Sequence, residues 1–113
     1  MNERALDELA QVVERGGEAD DVLRGIVAIL AAEPGISWAG IAFLEEGQLA
    51  LGPQAGEQDA ERRIRVPVEF QNEPVGELWV DGDADAGFLE RVAALVSAHV
   101  LIGWDTGGRA WEP

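Results

Sequence analysis

The segment Arg63-Ile-Arg-Val-Pro-Val-Glu-Phe70 alternates without a break, with Ile64, Val66, Val68 and Phe70 on one side and Arg63, Arg65, Pro67 and Glu69 on the other. A period of two is what a strand shows when one face lies on a core and the other faces away, and it does not fit a helix. After turn residues at Gln71 to Glu73, Pro74 to Asp81 repeats the pattern. Gly76, Leu78 and Val80 fall on one side, and Val75, Glu77, Trp79 and Asp81 on the other. Upstream, the short apolar run Trp38 to Leu44, the turn Glu45-Glu46-Gly47 and a return strand over Gln48 to Leu51 read as a further hairpin. Between the two hairpins, Gly52 to Glu61 is polar, rich in glycine and without a period, so it reads as a loop of about ten residues.

Three stretches carry the helical period instead. Leu6, Leu9, Ala10 and Val13 make a narrow stripe over Asn2 to Arg15, ended by Gly16-Gly17. From about Glu18 to Glu33 the apolar face is wide (Val22, Leu23, Ile26, Val27, Ile29, Leu30), with Asp20 and Asp21 in the first turn and Pro34-Gly35 as the stop. The last helix, about Ala86 to Ile102, has Asp85 as N-cap and Gly103 as its end. The order of elements with hairpin-length turns predicts an α+β fold, an antiparallel sheet packed on one face by the N- and C-terminal helices. A single domain spans 1–113: an N-terminal helix within 1–17, a core over 19–102 and an irregular tail over 103–113.

Composition closes several routes to function. The chain has 113 residues, 22 acidic against 8 basic side chains, a formal net charge of −14 and no cysteine. Disulfides, thiolate metal sites and thiol nucleophiles are therefore excluded, and the lone His99 rules out a multi-histidine metal centre within one chain. Such a charge repels phosphate backbones and anionic headgroups, so neither nucleic acid nor a membrane surface is expected as a partner. No apolar stretch approaches the roughly 20 residues of a membrane helix, and the N-terminus has no signal-peptide core, which points to the cytoplasm. All eight basic residues are Arg; without Lys no phosphate loop of the Walker type exists.

Several of these segments together resemble the GAF domain family of small-molecule sensor and dimerisation modules, over about Ala19 to Leu101. The resembling pieces are Asp21 to Leu30 leading into Trp38-Ala-Gly-Ile-Ala-Phe-Leu-Glu-Glu-Gly47, then Arg65-Val-Pro-Val-Glu-Phe70 with Pro74-Val-Gly-Glu-Leu-Trp-Val-Asp81, and the closing helix from Ala86. The resemblance implies a GAF-like sheet with helices on one face, a ligand pocket roofed by elements between the first hairpin and the Pro-containing strand, and pairing of terminal helices between subunits. This chain departs from it in having only Gly52 to Glu61 for a roof. The family also includes free-methionine sulfoxide reductases, whose chemistry relies on cysteine thiols; with none present, that activity is expected to be absent.

The candidate site is the sheet face opposite the apolar one, where alternation collects Trp38, Arg63, Arg65, Glu77 and Trp79, with Glu69 beside them. Aromatic rings offer a flat floor and Arg a bidentate donor for a carboxylate or phosphate. The competing reading is a solvated face with Arg65 and Glu77 as a cross-strand pair and Trp79 shielded by the 52–61 loop; a protein interface is the third. Asp81, Asp83 and Asp85 have the first spacings of a calcium loop but lack its Gly and terminal Glu, so a hydrated turn and N-cap are expected, and no metal. His99 reads as a packed or surface side chain, and the hydroxyls of Ser37, Ser97 and Thr106 form no nucleophile arrangement. The expectation is a non-catalytic sensor or signalling module with no enzyme activity and no cofactor. It binds a small molecule or a protein partner and forms a homodimer through its terminal helices, with Trp104 and Trp111 docked. A ligand-free structural interaction module is the alternative.

Overall fold

The computed structural model describes the backbone of residues 3–110 and the side chains of 4–100. The chain runs α1 (Glu3–Arg15), α2 (Ala19–Ala31), β1 (Ile36–Glu45), β2 (Gln48–Gly56), a 3₁₀ turn (Ala60–Arg62), β3 (Arg63–Phe70), β4 (Glu73–Gly82) and α3 (Ala86–Ala110). The four strands are antiparallel in the order β2-β1-β4-β3. Both hairpins close through two residues with positive φ, Glu46-Gly47 and Gln71-Asn72, the backbone that matches the twist of paired strands.

All three helices lie on one face of the sheet. α2 packs against β1 and β2, α3 against β3 and β4, and α1 against α2 and α3. One apolar core results, containing Leu23, Ile26 and Leu30 from α2, Ile41 and Phe43 from β1, Val68 from β3, Leu78 and Val80 from β4, and Leu89, Val92 and Val96 from α3. The narrow stripe of α1 serves the same core: Ala5 and Leu9 are buried, and Leu6, Val12 and Val13 pack against it half-buried. At the head of α3, the Asp85 carboxylate accepts the Phe88 amide at 2.9 Å, the expected N-cap.

Two expectations are corrected. Gly52 to Gly56 is strand, not loop: β2 runs on beside β1 through Pro53, leaving residues 57–59 and the 3₁₀ turn as the connection. Two residues of β2, Gly52 and Pro53, are set against Ile41 where the register shifts between Gly40 and Ala42. An edge strand with a bulge accommodates proline, because the missing N–H has no ladder partner to lose. The helix expected to stop at Gly103 continues to Ala110, so 103–110 is not an irregular tail. Glycine in a helix costs about 1 kcal/mol but does not clash as proline does, and the chain has no proline between Pro74 and Pro113. Residues 111–113 and the side chain of Trp104 lie outside the described residues, so the expected docking of Trp104 and Trp111 does too. No described helix is long and apolar enough to cross a membrane.

Candidate functional site

The face of the sheet away from the helices is built in rows set by strand register. Trp38 lies opposite Asp81, and Asp81 opposite Arg63. The next row is Gly40, Trp79 and Arg65, and the third is Ala42, Glu77 and Pro67. All five residues expected at the site, Trp38, Arg63, Arg65, Glu77 and Trp79, come together here. Glu69 does not join them: the register shifts between Val68 and Glu69, and Glu69 lines a groove against α3 with Pro67, Glu90, Ala93 and Ala94.

Trp38 lies along the sheet because Gly40 leaves room for it; a Cβ at Gly40 would sit 2.6 Å from its ring. The Arg63 guanidinium stands 4.5 Å from the Trp38 ring centre and 5.3 Å from that of Trp79, and the Arg65 guanidinium is 4.7 Å from Trp79. Cations and indoles thus alternate along the face, an attraction of roughly 0.5–2 kcal/mol at each contact.

Two carboxylates complete the assembly. Asp81 is fully buried, and it receives Arg63 Nε on Oδ1 at 2.7 Å, Arg63 Nη2 on Oδ2 at 3.0 Å and the Asp59 amide on Oδ2 at 2.6 Å. Burial alone pushes this carboxyl up; the Arg63 hydrogen bonds, the Asp59 amide and the Arg63 charge outweigh it and hold it below the usual carboxylate range. The same hydrogen bonds raise Arg63. Glu77 gathers three donors on one oxygen. Oε1 accepts Arg65 Nε at 2.8 Å and Trp79 Nε1 at 2.8 Å, with Arg65 Nη2 at 2.7 Å. Glu77 Oε2 and Arg65 Nη1 carry no hydrogen bond among the described residues.

The face therefore has two halves. Trp38 is 1% exposed and sealed with Asp81 beneath Arg63, Gln54 and residues 57–59; its Nε1 donates to Gln54 Oε1 at 3.2 Å. Arg65 and Glu77, with side chains 50% and 28% exposed, stay open beside half-buried Trp79. The expected use of both Arg forks for an external carboxylate or phosphate is revised, since each fork already grips a carboxylate of its own chain and the two cations meet two anions. Asp81 was the member missing from the expected site, although alternation along β4 had placed it on this face beside Glu77 and Trp79. Its importance comes from Arg63 and Asp59 converging on it, which no local pattern announces. Around it, Asp83 pairs with Arg62 at 2.8 Å and Asp85 caps α3, so the three aspartates have separate partners. Half-buried His99 stands on α3, and its sealed Nδ1 has no hydrogen-bond partner among the described residues.

Solved structures share this fold. The GAF domain of the Acinetobacter phosphoenolpyruvate-protein phosphotransferase superposes with a TM-score of 0.70 at 17% identity, covering 96% of this chain and 99% of that one. The chain has a GAF-like fold. The fRMsr of Staphylococcus aureus in complex with its substrate is as similar, with a TM-score of 0.70 and 18% identity over 85% of this chain and 93% of that one. The type II free methionine-R-sulfoxide reductase of Thermoplasma acidophilum follows with a TM-score of 0.60, 20% identity, and 79% and 94% covered. No protein-family profile and no curated protein matches the sequence. These likenesses overturn one expectation. Reductases stand among the structures with this GAF-like architecture, so the GAF resemblance does not carry the reading of a non-catalytic module or of a chain without enzyme activity.

Proposed function

We propose that the open half of the outer sheet face binds a small zwitterion of the free amino acid class. The observation that carries this reading is the pairing of unused groups at Arg65 and Glu77. Glu77 Oε2 is an open anionic acceptor and Arg65 Nη1 an open cationic donor, side by side and next to Trp79. A lone anion meets Glu77 and a lone cation meets Arg65, whereas a zwitterion satisfies both. Its ammonium group takes Glu77 Oε2, its carboxylate or another oxygen takes Arg65 Nη1, and an apolar side chain lies along the indole. Free methionine sulfoxide has this chemistry, and reductases named for it share the fold, which makes it the first molecule to test. Reduction of a sulfoxide takes two electrons and two protons and releases water; this chain has no thiol to give them, so turnover draws them from a separate reductant.

The test is a tryptophan-fluorescence titration with methionine sulfoxide, run on the chain and on Trp79→Phe, Arg65→Gln and Glu77→Gln. Saturable quenching is expected, absent in Trp79→Phe and weakened about tenfold in each of the other two, the factor that about 1.4 kcal/mol represents. The same mixtures with dithiothreitol, analysed for methionine, show whether binding leads to turnover. A flat titration, or one that the three substitutions leave unchanged, refutes the reading.

A further inference from the structure

The sealed half of the outer face has the chemistry of a receptor for an organic cation. Asp81, fully buried, offers both carboxylate oxygens at the edge of a compartment walled by Trp38 and Trp79. A buried carboxylate flanked by indole faces recognises a guanidinium or alkylammonium group, through paired charge-assisted hydrogen bonds and cation–π attraction together. Here the occupant belongs to the chain itself: the Arg63 guanidinium, bidentate on Asp81 at 2.7 and 3.0 Å and 4.5 Å from the Trp38 ring.

The segment that delivers Arg63 is weakly anchored. Residues 57–62 form a strap ending where β3 begins; Glu57, Gln58, Ala60, Glu61 and Arg62 are exposed, and only Asp59 is half-buried. No apolar side chain of the strap enters the core. Its ties are polar: the Glu57 amide on the Ser37 carbonyl at 2.8 Å, the Asp59 amide on Asp81 at 2.6 Å, Arg63 Nη2 on Gln58 Oε1 at 3.0 Å, Gln58 Nε2 on Gln54 Oε1 at 3.5 Å, and the exposed Arg62–Asp83 pair at 2.8 Å. Two of these five run through Asp81 and Arg63, so withdrawal of the Arg63 guanidinium and lifting of the strap are coupled. A segment without buried apolar contacts opens at lower free energy than the ladder beneath it.

The geometry points to a self-plugged cation site: Arg63, the first residue of β3 at the end of the strap 57–62, fills with its guanidinium a guanidinium-recognising compartment of Trp38, Trp79 and Asp81, and strap opening with withdrawal of that side chain exposes the compartment to an external organic cation. The net charge of −14 concentrates such cations around the molecule. This compartment shares only Trp79 with the Arg65–Glu77 half, and its test, made at Arg63 and Asp81, does not depend on what binds there.

The plug is removed by Arg63→Ala, and the empty compartment is offered ethylguanidinium chloride at low millimolar concentration, with sodium chloride at equal ionic strength as control. Ethylguanidinium is expected to raise the melting temperature of Arg63→Ala saturably while sodium chloride does not. Adding Asp81→Asn to the variant is expected to abolish the rescue. An unsaturable response, or equal rescue with and without Asp81, overturns the proposal. In the unmodified chain, the Asp59 amide is expected to exchange with solvent at least about tenfold faster than the amides of Ile41 and Val80, the mark of opening below global unfolding. Exchange of Asp59 at the rate of that ladder overturns the proposal as well, whether or not Arg63→Ala folds.

Discussion

The Arg63–Asp81 pair and the Arg65–Glu77 pair share one face and the same chemical groups, yet they should differ severalfold in energetic worth. Asp81 is fully buried and the Arg63 side chain is 18% exposed, whereas Arg65 and Glu77 are 50% and 28% exposed. Removing one partner of a buried pair leaves an uncompensated charge in a poorly solvated place and costs about 3–5 kcal/mol; exposed pairs contribute about 0–1 kcal/mol. Arg63→Met retains much of the stem beside Trp38 and removes the charge, and Asp81→Asn removes the opposite charge at nearly constant volume. Each single substitution is expected to cost about 3 kcal/mol. The double variant should cost well under their sum, because no unpaired charge remains, giving a coupling of about 2–3 kcal/mol. The matching cycle of Arg65→Met and Glu77→Gln should return about 0.5 kcal/mol. Urea unfolding followed by circular dichroism measures all of these, and a loss of about 3 kcal/mol is large against the roughly 5–15 kcal/mol that holds a domain folded. Equal coupling energies for the two pairs, or less than about 1 kcal/mol for Arg63–Asp81, would refute the view that burial, and not charge pairing itself, sets the strength.

The Asp81 carboxyl is held below its ordinary value in the folded chain, so its ionised form stabilises the fold above the unfolded carboxylate range near pH 4 and that stability is lost as acid protonates it. Urea midpoints from pH 7 down to pH 2 should fall more steeply for the unmodified chain than for Asp81→Asn; parallel profiles would remove Asp81 from the account. At Gly40 the obstacle is steric. Gly40→Ala sets a methyl 2.6 Å from the Trp38 ring and 3.1 Å from Leu51 Cδ1, and a destabilisation of about 1–3 kcal/mol with altered Trp38 fluorescence is expected. An unchanged melting temperature would mean that the ring does not rest on Gly40.

Much of this architecture was legible in the sequence because it depends on period alone. The alternation of Arg63 to Phe70 and of Pro74 to Asp81 showed which side chains face the helices except at Val75, which was expected on the outer side and joins the core where the register shifts between Val68 and Glu69. The wide apolar face over Val22 to Leu30 identified the helix that lies on β1 and β2. Asp85 announced its cap, and the same alternation gathered Trp38, Arg63, Arg65, Glu77 and Trp79 on one face. What period could not show is how far an element runs when a partner rather than a pattern holds it. Gly52 to Gly56 has no strand signature and is strand because β1 is long enough to pair with it and a bulge absorbs Pro53. Nor could a pattern show what each charge meets. Arg63 and Arg65 looked alike along β3, one residue apart in the alternation, and tertiary structure separated them by burying Asp81 beneath one and leaving Glu77 open beside the other. Side-chain direction is a local property of the backbone and can be read from the sequence; solvation is a property of what covers the side chain, and only the folded chain determines that.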